Sequence, residues 1–430
     1  MTLENSRHRL SVSIPESVPV EACQVCNSRR LEPVFFAGYL PPVNTMPNVG
    51  EVPREQISYP AQLLQCLDCQ LFQLGLIVSP KILFPPTYPY TSGTTKILRD
   101  NFSELALEVA KLYPLQASHL VVDIGSNDGT LLSNFTEHRV LGIEPTNAAK
   151  LAERIGIKTV MEFFTRDLAV RVAAKEGKAR LVTATNCFAH IDDIHSIVEG
   201  VLELMEPDGL FVTESHYLLS LIETVQYDTI YHEHLRYYTV TSLEYLLGRH
   251  GLTPVHVKRI PTHGGSIRVY AARKGRHKVH PSVARQMDKE REGITPENLR
   301  RFRKRIVHSK LQLHALLARI KDSGGRVFGV GAPSRASTLI NYVGLDDGIL
   351  DCVLEVEGSH KIGKYVPGTR IPVLNEATLF EEQPEYALLL SWHIAPELIP
   401  KLVAKGFRGD FIVPLPEPEI ISGKAQRKAG

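Results

Sequence analysis

Val121-Val122-Asp123-Ile124-Gly125-Ser126-Asn127-Asp128-Gly129-Thr130 is an apolar run that ends in an acid, followed by two glycines and then Leu131-Leu132. The pattern reads as a strand, a tight turn and the start of a helix. Gly125 lets the backbone turn sharply and lets a ligand approach closely. Gly129 lies where a helix N-terminus offers free N–H groups. Further on, Val140-Leu141-Gly142-Ile143-Glu144 is a second short apolar strand ending in an acid. An acid at that place is suited to hydrogen-bond a pair of ribose hydroxyls. No G-x-G pair begins the turn, so this is not the dinucleotide fingerprint. An ordinary strand-to-helix turn of an α/β protein is the plainer alternative.

Working outward, 430 residues hold two or three domains. Hydrophobic content of 43% and charged content of 22% place the chain among soluble globular proteins. A formal net charge of +2 gives no reason to expect a nucleic-acid polymer or a membrane surface as partner. Residues 1–20 contain no apolar core of signal-peptide length, and no run approaches a membrane span. The expected compartment is therefore the cytoplasm.

Four of the six cysteines form two knuckles, Cys23-Gln24-Val25-Cys26 and Cys66-Leu67-Asp68-Cys69. Two C-x-x-C pairs in one segment fit a tetrahedral four-thiolate zinc site, closed to substrate and therefore structural. The Pro/Gly-rich stretch from Gly38 through Pro53 is expected to be irregular. Cys187 and Cys352 fall in expected core segments and read as small buried side chains.

Residues 1–20 read as a loosely attached arm. Phe84-Pro85-Pro86-Thr87-Tyr88-Pro89-Tyr90 cannot be helical throughout. A helix is expected from Ile97 to Leu112, leading into the strand at 119–124. Strands at 140–144, 157–160, 181–185 and 209–214 then alternate with helices at 146–155, 165–175 and 193–205, a doubly wound α/β pattern. A helix near 238–250 and strands near 254–259 and 266–273 follow. One long connecting helix spans about 296–321, and Arg326 through Ser334 opens a second α/β unit with strands at 351–354, 386–390 and 410–413. The tail from Gly423 is basic and is expected to be mobile.

A second motif is Tyr227-Asp228-Thr229-Ile230-Tyr231-His232-Glu233-His234. It is not the H-E-x-x-H zinc helix, because the second histidine follows the glutamate directly. On a strand His232 and His234 would face one way, but no third metal ligand is obvious. On a helix Tyr227, Tyr231 and His234 would share a face. A third candidate, Asn186 and His190 of Thr185-Asn186-Cys187-Phe188-Ala189-His190, follows a strand end. In a doubly wound sheet that position sits beside the ligand.

The 121–130 stretch and Glu144 resemble the S-adenosylmethionine (SAM) loop of class I methyltransferases. The whole chain resembles the SAM-dependent C-methyltransferases of nucleotide-linked deoxysugars, of the mycarose and tetronitrose 3-C-methyltransferase type. Carrying the resemblance are the paired knuckles, the Tyr88-Pro89-Tyr90 loop, the V-D-I-G-S-N-D-G turn, Asn186 with His190, and Tyr231-His232-Glu233-His234. His263-Gly264-Gly265-Ser266-Ile267-Arg268-Val269-Tyr270, Gly329-Val330-Gly331-Ala332-Pro333, Asn341-Tyr342 and Tyr365-Val366-Pro367-Gly368-Thr369 complete it.

The resemblance implies a Rossmann-like class I methyltransferase domain, a small N-terminal zinc module and a second C-terminal α/β domain, divided as 1–80, 81–280 and 281–430. SAM is implied at Asp123, Gly125, Asn127, Asp128, Gly129, Glu144 and Asn186. Structural zinc is expected at Cys23, Cys26, Cys66 and Cys69. The family pattern places a base at His234, assisted by Tyr231 and Glu233, with His190 and Tyr88 or Tyr90 at the sugar. The implied partner is a nucleotide-linked sugar, and the expected assembly is a monomer or small homo-oligomer. The chain departs from the family at Leu354-Glu355-Val356-Glu357-Gly358-Ser359-His360, where relatives carry an Asp-x-Asn/Ser-Pro turn, which leaves the nucleotide or sugar open.

Methylating carbon requires a carbanion, which a sugar supplies most readily beside a ketone. A histidine base and phenolic donors to the developing oxyanion suit that step. The expected reaction is base-assisted enolate formation and methyl transfer, at C-3 of a 4-keto-deoxysugar. Alternatives are an O- or N-methyltransferase, a nicotinamide-dependent oxidoreductase using Gly329-x-Gly331, and a non-catalytic zinc-bearing adaptor.

Overall fold

Leu120–Ile124 is buried on both faces, as its unbroken apolar sequence requires. The computed structural model, which describes residues 16–84 and 92–429, places it third from one edge of a seven-stranded sheet. Counted in chain order within that sheet, the strands lie 3-2-1-4-5-7-6 across it. The first five are Leu120–Ile124, Arg139–Ile143, Thr159–Val160, Ala179–Thr185 and Met205–His216, all parallel. Ser266–Arg273 is antiparallel to both of its neighbours. Strand order reverses beside Leu120–Ile124, so the turns after it and after Ala179–Thr185 flank the crevice where an open α/β sheet binds its ligand.

Connecting helices begin where the sequence supplies caps. Thr165 accepts the Leu168 N–H, Asp193 accepts that of Ser196, and Thr239 and Ser242 form a reciprocal capping box. The helix Lys96–Leu112 buries Leu98, Phe102, Leu105 and Val109, one face at helical spacing.

A second sheet of six strands follows residue 326, parallel except for its last strand, Glu419–Ile421. The helix Pro296–Asp322 leads into it, with Leu299, Phe302, Ile306, Leu313, Leu317 and Ile320 buried. Those side chains share one core with this sheet and with Val34, Phe35 and Leu63 of the N-terminal module. The N-terminal module is a four-stranded antiparallel sheet in which Arg236–Tyr237 pairs with Phe72–Leu74.

Several elements differ from the sequence reading. The chain after Leu131 forms only the 3-10 turn Leu132–Asn134, so Gly129 does not precede an α-helix. The interval between the knuckles builds a hairpin of Leu31–Leu40 and Tyr59–Cys66, which rich β-propensity in Val34-Phe35-Phe36 explains, while residues 41–58 between the strands are irregular, as expected of most of the Gly38–Pro53 stretch. Tyr227–Thr229 is a 3-10 turn and the chain onward to His234 is irregular, not helical. The tail from Gly423 is a helix, Gly423–Ala429, anchored where Gly423 N–H donates to Asp410 (3.0 Å).

Candidate active site

Each knuckle turns the same way. Asn27 N–H donates to the Cys23 carbonyl (2.9 Å) and Gln70 N–H to that of Cys66 (3.0 Å), with both Asn27 and Gln70 in the left-handed region. The four sulfurs lie within 4.8 Å of one another, with Cys23–Cys69 at 3.4 Å and Cys26–Cys66 at 3.5 Å. Sulfurs about 2.3 Å from a tetrahedral zinc stand about 3.8 Å apart, so the donor set fits that ion. Cys69 holds the Cys23 thiol down to about 5, and the same contact pushes Cys69 up. One thiolate is thus available at neutral pH, and a bound cation would displace the remaining protons. All four positions are filled by protein, which leaves no open position for a substrate. His195 Nε2 lies 3.0 Å from the Val25 carbonyl, tying the first knuckle to the helix Ile194–Leu204.

The turn after Leu120–Ile124 is shaped from beneath. Gly125 has φ +70°, and a Cβ there would stand 2.8 Å from the Cys187 Cβ. A Cβ at Gly129 would meet that of Ala152 at 3.0 Å, so this glycine permits packing against the helix Ala149–Arg154. Asp123 points down into the sheet and accepts the Thr183 hydroxyl (2.6 Å); burial pushes its carboxyl up to about 7. Asn127 Oδ1 accepts the Ser92 N–H and Asp128 Oδ2 the Gly93 N–H, both at 2.8 Å. These two side chains therefore hold the segment entering the helix Lys96–Leu112.

Glu144 is buried, its oxygens accepting the N–H groups of Asn127 (3.0 Å) and Thr146 (2.9 Å). Each oxygen retains a lone pair for a ribose hydroxyl. Asn186 has φ +57° and a buried Oδ1 without a partner, and Ser126 Oγ is likewise unpartnered. Unsatisfied polar atoms at this crevice are what a bound polar ligand would satisfy. The residues present fit SAM, with Glu144 for the ribose and Asn186 for a neighbouring donor.

Across the carboxyl end of the sheet lies a group of imidazoles. His234 stands between His190 (ring centroids 5.0 Å apart) and His216 (4.5 Å), and His216 approaches His263 (5.3 Å). Tyr231 packs on His234 at 4.2 Å. His234 Nδ1 lies 2.8 Å from the Thr229 carbonyl, an acceptor, so Nδ1 carries the proton and Nε2 keeps its lone pair. Burial pushes His190 and His263 down to about 4, and His216 and His234 well below the ordinary range. All four are neutral at pH 7. Burial moves Tyr231 the other way, so its phenol remains a proton donor.

The motif around His234 divides its labour. Tyr227 turns away into the core against Tyr342 (4.8 Å). His232 packs on Tyr59 (5.7 Å), with Nε2 3.3 Å from the Pro60 carbonyl, while His234 faces Tyr231 and His216. The two histidines do not converge on a shared ligand. Glu233 accepts from Asn44 Nδ2 (2.7 Å) and joins the N-terminal module to the site. Phe84 stacks on His190 (5.7 Å); Tyr88 and Tyr90 lie outside the described residues.

His216 joins this imidazole group although the sequence reading gave it no role, and His263, quoted there only as part of a motif, joins it too. His216 ends a strand at the crevice side, a signal that strand-end placement offers. His263 stands in the left-handed region (φ +56°) ahead of two glycines, a placement that costs about 1–2 kcal/mol. Cys187 donates to the Ile124 carbonyl (3.0 Å) and packs beneath the loop only partly buried, whereas Cys352 is buried as expected.

C-methyltransferase NovU of Streptomyces niveus is 34% identical over 416 residues, 95% of this chain and 98% of that protein. The chain belongs to the SAM-dependent C-methyltransferases. Three family models match successive parts of this C-methyltransferase: "Putative zinc binding domain" at 23–84, "Methyltransferase domain" at 97–257 and "C-methyltransferase C-terminal domain" at 261–416. Among solved structures, YcgJ of Bacillus subtilis aligns over 41% of this chain and all of its own (14% identity, TM-score 0.33). The CcbJ methyltransferase of Streptomyces caelestis aligns over 40% of this chain and 89% of its own (17% identity, TM-score 0.32). Likenesses that low carry no functional argument. Among the described residues, no helix of the C-methyltransferase is long and apolar enough to cross a membrane.

Proposed function

We propose that this C-methyltransferase acts on a nucleotide-linked 4-keto-deoxysugar, at C-3, with His234 as the base. The observation that carries the reading is the anchored tautomer of His234. Its Nδ1 is spent on the Thr229 carbonyl, and its Nε2 lone pair lies in a dry group of neutral imidazoles beside a protonated phenol.

The three regions divide the work. Residues 1–80 hold zinc for folding and supply Asn44 to Glu233, residues 81–280 bind SAM and carry the base, and residues 281–430 close the nucleotide-sugar site. Glu144 orients the cofactor through its ribose, and Asn186 fixes it from the neighbouring turn. Bound SAM supplies an electrophilic methyl on a sulfonium leaving group.

His234 Nε2 removes the proton beside the ketone. Tyr231, with His190 or His216, donates a hydrogen bond to the oxyanion that forms, each such donor being worth about 3–4 kcal/mol in the transition state. The resulting carbon nucleophile would accept the methyl that SAM, held by Glu144 and Asn186, supplies when bound. His234 stays neutral at working pH because the site is desolvated, so it is unprotonated when substrate arrives.

The test is mass spectrometry after incubation with SAM and a panel of nucleotide-linked 4-keto-6-deoxysugars, with NMR locating the new methyl. A methyl on ring carbon with prior deuterium exchange beside the carbonyl supports the reading. A methyl on oxygen or nitrogen overturns the enolate step.

A further inference from the structure

The C-terminal sheet has a crevice of its own. Its first strand, Val327–Val330, is flanked by Cys352–Glu355 on one side and Tyr386–Leu389 on the other, so strand order reverses there too. The turns after Val327–Val330 and Tyr386–Leu389 border the place where such a sheet takes a ligand. Here that place is filled by a carboxylate of the central domain. Arg335, which opens the helix Ser334–Val343, donates to Asp228 through Nε (2.7 Å to Oδ2) and Nη2 (2.9 Å to Oδ1). Trp392, just past the second strand, donates its indole N–H to Asp228 Oδ2 (2.8 Å). Arg335 also reaches the His263 carbonyl (3.2 Å) and Gln226 Oε1 (3.2 Å), and its guanidinium lies over the Trp392 ring (4.9 Å). Asp228, Arg335 and Trp392 are all buried.

Asp228 immediately precedes Thr229. The Thr229 carbonyl accepts from His234 Nδ1 (2.8 Å) and from the Tyr237 hydroxyl (3.1 Å). We infer that Asp228 is a positioning residue: the C-terminal unit grips its carboxylate with Arg335 and Trp392, and that grip holds the Thr229 carbonyl which sets the tautomer of His234. The inference rests on the reading of His234 as base. Asp228 is the middle residue of the 3-10 turn Tyr227–Thr229, in which Ile230 N–H donates to the Tyr227 carbonyl (3.0 Å), so a carboxylate bound at three points anchors the turn that carries the Thr229 carbonyl. The same guanidinium holds the turn that presents His263, so one side chain steadies two walls of the imidazole group. The C-terminal crevice therefore acts on catalysis by binding a residue of its own chain.

The experiment uses the full chain labelled with 15N-histidine, and compares wild type with Trp392→Phe and with the double variant Arg335→Met/Asp228→Asn. The double variant removes both charges, so no buried charge is left unpaired. The His234 resonances are assigned by their loss in His234→Asn. In wild type His234 is expected as the Nδ1–H tautomer. In the double variant a mixture of tautomers is expected, with kcat lowered about 100-fold, and with the KM for SAM and its binding affinity unchanged. Trp392→Phe is expected to move both readings the same way by a smaller amount.

A double variant with a wild-type melting temperature, a single Nδ1–H tautomer and wild-type kcat overturns the inference. Should the double variant not fold, Trp392→Phe decides by the same two readings. Should His234→Asn retain turnover, the base assignment falls, while the tautomer comparison still tests the grip.

Discussion

Acidification from pH 7 to pH 5 should weaken the fold by at least about 3 kcal/mol, through histidines rather than carboxylates. His190, His232 and His263 each stand at about 4 in the folded protein, against 6.5 for an ordinary histidine. A base with a depressed folded value leaves the fold at full strength above 6.5. Stability is lost as pH falls from there toward 4, because the unfolded chain takes up the proton first. Over pH 7 to 5 the linkage relation gives about 1.8 kcal/mol for each, or about 5.5 kcal/mol for the three.

Asp123 acts in the opposite sense. Its folded value of about 7 lies above the ordinary 3.8, so its contribution grows as pH falls and offsets about 2 kcal/mol over the same range. His216, His234 and His393 are also pushed down, and they deepen the loss. The assay is urea unfolding of the apo-enzyme at the two pH values. His232→Gln isolates one contribution and should reduce the difference by about 2 kcal/mol. An unfolding free energy equal at both pH values, or higher at pH 5, refutes the assignment of these imidazoles as buried and neutral.

Four further outcomes are expected. His234→Asn should lower turnover about 10²- to 10⁴-fold with SAM affinity intact, read by single-turnover methylation and calorimetry. Glu144→Ala should weaken SAM binding by about 1.5–3 kcal/mol, the range for hydrogen bonds to a charged group, read by calorimetry. Cys66→Ser should lose bound zinc and melting temperature together, and chelation of the wild type should reproduce both, read by metal analysis and thermal melting. Arg268→Met leaves Glu214 buried without the guanidinium it faces across the strand pair. That variant should cost about 3–5 kcal/mol in urea unfolding, with Arg268→Met/Glu214→Leu recovering much of it.

Local chemistry explains what could be read from the amino acids and what could not. The strand and turn at Asp123 to Gly129 were legible because a buried parallel strand is a continuous apolar run and its turn demands glycine. The long helix was legible because no proline occurs between Pro296 and Pro333, and in the fold it starts on a Thr295 cap with Pro296 in its first turn. The knuckles were legible because thiolate spacing is itself the geometry. The irregular path of residues 230–234 was not, because its conformation is set by contacts far along the chain. Asp228 meets an arginine 107 residues later and a tryptophan 164 residues later. No pattern within the motif encodes either partner. Asp128 and Asn127 look like cofactor ligands in sequence, and in the fold their side chains also accept the N–H groups of Gly93 and Ser92, residues whose approach only the folded chain reveals. His216 escaped notice because two residues of strand beyond Glu214 carry it to the crevice, and strand ends are the least legible feature of a sequence.

Arg236–Tyr237, two residues past His234, is one edge strand of the N-terminal sheet. During synthesis the knuckles and the hairpin between them leave the ribosome early, but the exposed edge at Phe72–Leu74 has no partner until the whole SAM crevice has been made. The nascent N-terminal module must wait with an open, apolar edge, a state prone to pairing with other chains. Completion of that edge and placement of His234 draw on the same short stretch of chain, so the two are physically linked. A chain truncated before residue 236 would thus be both inactive and sticky.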